Sequence, residues 1–293
     1  MSRSAVAPAS VRLPRPTVSV AADPAPGRRL RIALVCAVAG VHATITGGAL
    51  LVPVLVALDR LLPRGALPAV RAKVAPGVEI ELDRAGAMAR GAVIADGYEH
   101  RECEMLVSAL RPDGIFLDVG ANVGWFSLLA AVHRPEARVW AVEPVPETAD
   151  RLEANLRAAG VSDRVRVVRC AAGPAAGSAS FRTPTDLALA SRVTDPAIGD
   201  PVVRCPVVAL DELWRAADCP RVDAIKLDVE GDEVAALRGA RELLSQDHPL
   251  VVAEAASPAA RAALTCELSR HGYRSRQEPG LLAYNTVFTA DRS

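Results

Sequence analysis

Between residues 114 and 271, short apolar runs alternate with longer amphipathic ones, and this alternation restricts the fold more than any other feature of the chain. Strand-like runs fall at 114–118, 138–143, 165–170, 222–228 and 250–254. Helix-like runs at 124–132, 147–159, 232–245 and 258–271 lie between or after them. Short apolar strands separated by helix-length segments mark βαβ units, in which helices cover both faces of a parallel sheet. The pattern predicts an α/β domain with a doubly wound, mostly parallel sheet over 78–293. Further strands are expected over 164–182 and 202–208, around a loop at 183–201. Segments 273–276 and 283–289 would close the sheet as an antiparallel edge pair. Val78, Ile80 and Leu82 alternate with polar residues. They predict one arm of a short hairpin, with 91–94 as the other arm and a helix over 98–110 after it.

The N-terminal quarter has a different character. Residues 1–29 are rich in Pro, Ala and Ser without periodicity, as in a flexible leader. Residues 30–75 read as an apolar helical segment. Its centre, 32–58, carries no formal charge and exceeds the ~20 residues that span a bilayer. Gly47, Gly48 and Pro53 interrupt it, which suits two shorter helices on a core or a membrane surface. A single membrane anchor and a signal sequence are the other two readings. The 293 residues are 51% hydrophobic and 23% charged, enough apolar material for a substantial core. Thirty-four basic side chains against 34 acidic ones leave no bulk charge for nucleic acid, and no nucleic-acid partner is expected. The six cysteines are scattered, which fits free thiols in a reducing, cytoplasmic setting, with membrane association through 32–58 left open.

The segment after the first strand is the most informative about chemistry. Asp118 ends the strand, Gly120, Asn122 and Gly124 follow at alternate positions, and a helix begins near Gly124. Glycines there allow a tight turn and a close backbone approach to a ligand at the strand's carboxyl end. A dinucleotide fingerprint would carry a glycine where Asn122 stands, so that the chain could reach a pyrophosphate. Asp118 is also unfavourable beside phosphate but favourable beside a cation. S-adenosylmethionine, with an ammonium and a sulfonium and no phosphate, suits the loop better. Glu143 ends the second strand, about 20 residues beyond the loop, the separation of an acid that accepts ribose hydroxyls. Capping of the next helix is the plainer role for Glu143, and local turn capping the plainer role for Asn122.

A second unusual segment is the strand over 222–228. Strand parity sets Lys226, Asp228 and Glu230 on one face and Ile225, Leu227 and Val229 on the other. Three charges on a covered sheet are costly unless they pair with one another or line a cleft. A structural network around Lys226 and a polar site wall both satisfy that requirement. Glu254, at the end of the next strand, is either part of the same wall or a simple strand-end acid. Lys226 is one of only two lysines, with Lys73, among 34 basic residues, so its position requires lysine rather than arginine. No metal is assigned, because Asp228, Glu230 and Glu254 lack a fixed ligand spacing.

Together these residues resemble the FkbM family of class I S-adenosylmethionine-dependent methyltransferases. The resemblance rests on Asp118, Gly120, Asn122 and Gly124, on Glu143 with Pro144, and on a Lys-x-Asp-x-Glu-Gly element formed by Lys226, Asp228, Glu230 and Gly231. It covers about 95–256, and the last element is the discriminating one. It implies a Rossmann-like fold and O-methylation of a hydroxyl on a small molecule or glycan, such as a sugar or secondary metabolite. It implies cofactor contacts from Asp118, Gly120, Asn122, Gly124 and Glu143, and places Asp228 and Glu230 beside the methyl group. Glu230 or Asp228 would act as the base, with Lys226 orienting them or lowering the substrate's pKa. The competing classes are a non-catalytic or membrane-tethered partner protein on the same fold, and a nicotinamide-dependent oxidoreductase.

Overall fold

The computed structural model describes residues 11–21, 69–82, 99–182, 191–193, 202–255, 257–276 and 284–290, with the single positions 27, 32, 34 and 35. Strands β1 (Thr17–Val20), β2 (Val70–Ala75) and β3 (Val78–Leu82) precede helix α1 (His100–Ala109). Then β4 (Ile115–Val119), α2 (Trp125–His133), β5 (Arg138–Val142), α3 (Pro146–Ala158) and β6 (Val165–Val168) alternate. An insertion supplies β7 (Ala171–Ala172), β8 (Gly177–Arg182), β9 (Ser191–Val193) and β10 (Val202–Val208). Next come α4 (Leu210–Arg215), β11 (Val222–Leu227), α5 (Glu233–Arg238) and α6 (Arg241–Asp247). The last elements are β12 (Leu250–Glu254), α7 (Pro258–Ser269), β13 (Tyr273–Arg276) and β14 (Asn285–Ala290).

Seven strands form the main sheet in the order β13-β14-β12-β11-β4-β5-β6. β4, β5, β6, β11 and β12 are mutually parallel, and β14 runs antiparallel to both β12 and β13. This is the Rossmann-like order with one extra strand inserted near an edge. The chain winds one way from β4 to β6 and the other way from β11 onward. β4 and β11 are therefore the switch point, and doubly wound sheets bind ligands at the carboxyl ends of such a pair. Every residue of β4 and of β11 is buried, as expected of central strands covered on both faces.

Two cores flank the sheet. One face carries α4 to α7 through Leu210, Trp214, Leu237, Leu243, Leu264 and Leu268. The other carries α1, α2 and α3, and outside them the antiparallel sheet β1-β2-β3. That outer sheet explains why α2 buries Trp125, Phe126, Ser127, Leu128, Leu129, Ala130 and Ala131 with no polar stripe. A helix covered on both sides has no face to give to water.

The outer sheet also corrects the expected domain boundaries. Thr17–Val20, assigned by composition to a flexible leader, is β1 and pairs with β2 from Thr17↔Lys73 to Val20↔Val70. Val70–Ala75, assigned to the helical segment, is a strand with Val70, Ala72 and Val74 buried and Arg71 and Lys73 exposed. β3 pairs with it across a turn at Gly77, where φ is 74°. The period-two pattern was thus already present on the N-terminal side of Pro76 and Gly77. The other arm expected at 91–94, and most of 32–58, lie outside the described residues. Of the latter, Ile32 and Val35 are buried in the same core as β2 and β3. Among the described residues no helix is long and apolar enough to cross a membrane.

One expected helix is two. The run 232–245 breaks between α5 and α6 at Gly239, where a Cβ would collide with the carbonyl oxygen of Gly173. The Asp211 N–H donates to the Gly239 carbonyl at 2.7 Å. The Asp211 carboxylate accepts from the N–H groups of Glu242 and Leu243, each at 3.0 Å, and so caps α6 from outside. Docking the start of α4 into this corner takes precedence over helical continuity. The remaining expected strands and helices agree with the structure to within a few residues at their ends, and β13 with β14 forms the antiparallel edge pair.

Asn155 on α3 joins three parts of the fold. Its amide donates to the carbonyls of Glu81 at 3.0 Å and Val123 at 2.9 Å, and its Oδ1 accepts from the Glu81 N–H at 3.1 Å. It thereby ties the outer sheet to the loop between β4 and α2. Asn155→Leu is expected to lower stability by ~1–3 kcal/mol by leaving the buried Val123 carbonyl and two half-buried backbone groups of Glu81 without their partner. Urea unfolding at neutral pH measures this, and a loss below ~1 kcal/mol would contradict the assigned role.

Candidate active site

The turn leaving β4 is built from three residues at positive φ: Gly120 at 83°, Asn122 at 51° and Gly124 at 95°. The N–H groups of Gly120 and Ala121 both donate to the Val142 carbonyl, at 2.9 and 3.1 Å, which fastens the turn to the end of β5. A Cβ on Gly120 would run into the Asp228 carbonyl oxygen, so glycine is required for contact as well as for φ. The Asp228 N–H donates back to the Val119 carbonyl at 3.0 Å. Asn tolerates the left-handed region better than other side chains, which accounts for Asn122. No described residue donates to its buried Oδ1.

Two acids border this turn. Glu143 is 6% exposed. Its Oε2 accepts from the Asn122 N–H at 2.9 Å and its Oε1 from the Val145 N–H at 3.0 Å. It therefore ties the turn after β4 to the residue that leads into α3. Burial pushes its pKa up to about 7 in spite of both bonds. Asp118 is 1% exposed and accepts from the Ser127 hydroxyl at 2.6 Å, while no described residue donates to its Oδ1. Burial raises its pKa to about 6.

Lys226 is directly across the register from Asp118 and only 1% exposed. Its ammonium donates to Asp228 Oδ2 at 3.4 Å, lies 3.8 Å from Glu99 Oε2, and sits 5.2 Å from the centre of the Phe126 ring. Burial by itself would lower its pKa, but Asp228, Glu99, Glu254 and Asp118 outweigh burial and raise it. The strand parity expected to run on to Glu230 does not hold. β11 ends at Leu227, and the N–H groups of Val229 and Gly231 turn back onto Glu233 Oε1 at 3.3 and 3.0 Å. Glu230, with φ of 52°, stands exposed on that turn, whereas the Asp228 side chain is 24% exposed at the site.

The structure thus gathers Asp118, Lys226 and Asp228, with Gly120, Asn122, Gly124 and Glu143 around the adjoining turn, and leaves Glu230 at the rim. It also brings in Glu254, left open above as site wall or strand-end acid, and adds Glu99 and Asn285, which the sequence did not single out. Glu99 caps α1 at φ 45°. It is 4% exposed, and burial drives its pKa to about 7 against the pull of Lys226. Glu254 rises to about 9, through burial first and then the neighbouring Asp228 carboxylate. Asn285 donates to Glu102 at 3.0 Å nearby. The available signal for Glu99 was an acid at the expected start of a helix that leads into β4. Among the described residues, no three His, Cys, Asp or Glu side chains are arranged to hold a metal ion.

The model for the Methyltransferase FkbM domain matches residues 118–275, more than half of the chain. The chain belongs to the FkbM methyltransferase family. It is similar to hexuronic acid methyltransferase AglP of Haloferax volcanii, 29% identical over 149 residues, which cover 50% of this chain and 59% of that one. It is also similar to 31-O-demethyl-FK506 methyltransferase FkbM of Streptomyces tacrolimicus, 43% identical over 70 residues, 23% of this chain and 25% of the relative. The chain spans less than two thirds of the length of either relative. Among solved structures, methyltransferase FkbM of Methylobacillus flagellatus aligns with a TM-score of 0.46 and 22% identity, over 61% of this chain and 44% of that one. The FkbM match takes in the turn after β4 and the Lys226 segment but leaves Glu99 and the outer sheet outside it.

A class I methyltransferase uses S-adenosylmethionine, and the residues present suit such a ligand. Asp118 Oδ1 and Asn122 Oδ1 are buried acceptors at this turn without a described donor.

The raised acids have a consequence for stability. Glu99, Asp118 and Glu143 hold protons in the fold that the unfolded chain releases at lower pH, so the folded state binds more protons across this window. Their contribution to stability therefore falls as pH rises from about 5 to 7 and outweighs the opposing contribution of His100, His133 and His271, whose pKa values burial lowers, so stability is expected to fall across this window. Each tenfold difference in proton affinity is worth about 1.4 kcal/mol. Urea midpoints measured at intervals across the window should decline, less steeply in Glu99→Gln. A midpoint that climbs with pH would refute the assignment.

Proposed function

We propose that the chain is an S-adenosylmethionine-dependent O-methyltransferase acting on a hydroxyl of a small molecule or glycan. The observation that carries this reading is the acid-lined switch point. Asp118 and Glu143 border the turn where a dinucleotide would set its pyrophosphate, and the lysine beside them is already committed to carboxylates. Such a lining opposes a phosphate-bearing cofactor and favours a cationic one. The relatives' names, which specify a hexuronic acid and a 31-O-demethyl compound, agree with an oxygen target.

When bound, S-adenosylmethionine supplies a methyl group on a sulfonium. The protein's part is to align the reactants, exclude water and receive a proton. Glu143, already fixed by two backbone N–H groups, offers its remaining lone pairs to ribose hydroxyls. Gly120, Asn122 and Gly124 would shape the tight turn that meets the ligand, and Asp118 would offset its positive charge. Asp228 is the favoured base, since it is partly open to the site and held by Lys226. Glu230, on the exposed turn, is the second choice. Lys226 is a positioning residue: it is too deeply buried to meet the acceptor.

Calorimetry with S-adenosylmethionine and with NAD tests the cofactor assignment. Binding of the first and not the second is expected, with Glu143→Ala weakening it ~10–100-fold. Asp228→Asn should retain cofactor affinity yet lose ~10²–10⁴-fold in turnover, read by mass spectrometry of methylated products from a panel of sugars and polyketides. Binding of NAD alone would overturn the reading.

A further inference from the structure

The carboxyl ends of β11 and β12 are adjacent parallel strands, with Leu227 in register with Ala253, so the next residues, Asp228 and Glu254, are neighbours. In-register residues on parallel strands project to the same side, and burial first, then the neighbouring Asp228 carboxylate, raises the pKa of Glu254; two carboxyls sharing one site are costly when both are ionised, so one of them holds a proton. Lys226 lies 3.4 Å from Asp228 Oδ2 and fixes the negative charge there, leaving the proton on Glu254.

We propose that Glu254 and Asp228 form a proton-sharing pair that holds one proton at rest and accepts a second from the acceptor hydroxyl during methyl transfer. This rests on the methyltransferase reading above. In that step the hydroxyl oxygen bonds to the methyl carbon, the electron pair of the breaking S–C bond returns to sulfur, and the hydroxyl proton passes to Asp228. The positive charge lost at sulfur is thereby replaced by a proton a short distance away, and the total charge of the site is unchanged. Glu254 does not touch the acceptor; it positions Asp228 by donating to it and delocalises the charge that must attract the incoming proton. Such a pair serves a nucleophile that arrives protonated, so the acceptor is an alcohol rather than a carboxylate. Other groups facing the pair are Glu99 at the start of α1, Asp118 from β4, Lys226 from β11, and Tyr284 and Asn285 at the start of β14, with Glu102 from α1 behind them on Asn285. Of these only Lys226 is cationic.

Infrared titration of the full chain in heavy water tests the pair without a known acceptor, through the carbonyl stretch of protonated carboxyls. In the wild type, one protonated carboxyl is expected to persist above pH 8 and to titrate near pH 9. Glu254→Gln should remove that component and leave those titrating near neutrality. Asp228→Asn should move it down by at least one pH unit, because both the negative neighbour and the shared proton's partner are lost. The proposal fails if no carboxyl stays protonated above pH 8, if Glu254→Gln keeps the component, or if Asp228→Asn leaves it in place. Should Glu254→Gln not fold, by circular dichroism, the wild-type and Asp228→Asn titrations decide. S-adenosylmethionine calorimetry on the same wild-type sample separates the two claims. Cofactor binding without the high-pH component sinks the pair alone, and the component without cofactor binding sinks the methyltransferase reading.

Discussion

The carboxyl end of the sheet is organised around one buried ammonium. Lys226 has almost no contact with solvent, and an unpaired cation at such a depth would be strongly disfavoured. Asp118 from β4, Asp228 from the end of β11, Glu254 from β12 and Glu99 from α1 all act on it, and the Phe126 ring covers one side. Each of these acids would be costly to bury without Lys226, and Lys226 would be costly without them. Arginine would bring a wide, planar group with a fixed fork of donors. A compact ammonium can instead be approached from several directions, which explains a lysine here in a chain that writes nearly all its other basic residues as arginine.

The two motifs that define the family are one physical object. Gly120 lacks a side chain because the Asp228 carbonyl occupies that space, and the Asp228 N–H closes the same contact by donating to Val119. The glycine turn and the Lys226 segment, about a hundred residues apart, therefore meet backbone to backbone at the switch point. Asn155 continues the linkage outward, from the Val123 carbonyl in the turn to β3 in the outer sheet. Segments outside the matched family region thus bear on the geometry of the turn.

Much of this was legible in the sequence, and what was not has physical causes. The strands β4, β5, β11 and β12 are apolar because they are central, so their pattern could be read residue by residue. Asp118, Glu143 and Lys226 stood out because a charge beside a buried strand needs a reason. Glu99 gave no comparable signal: an acid at a helix start is commonplace, and only the fold brings it to Lys226. Parity failed for Glu230 because it assumes that the strand continues, whereas Glu233 captures the backbone at Val229 and Gly231. The break at Gly239 was invisible for a similar reason, since its cause is the distant Gly173 carbonyl. β1 was missed because its apolar alternation is short and sits in a Pro- and Ala-rich stretch.

The excess of acid over base at the site bears on turnover as well as on binding. Four carboxyls surround a single ammonium, so the site suits a ligand that adds positive charge. With its sulfonium, ammonium and carboxylate, S-adenosylmethionine adds a net positive charge, whereas the demethylated thioether, with only the ammonium and carboxylate, is neutral overall. In the proposed reaction the proton captured by Asp228 compensates the acids at the moment the sulfonium charge disappears. Because Asp228 is partly exposed and Glu254 only half-buried, that proton can then pass to water. Once it has gone, the acid excess is restored around a ligand that has lost one of its charges, which weakens the hold on the product relative to the next methyl donor. The same buried imbalance that costs the fold stability above neutral pH would thus set the direction of ligand exchange.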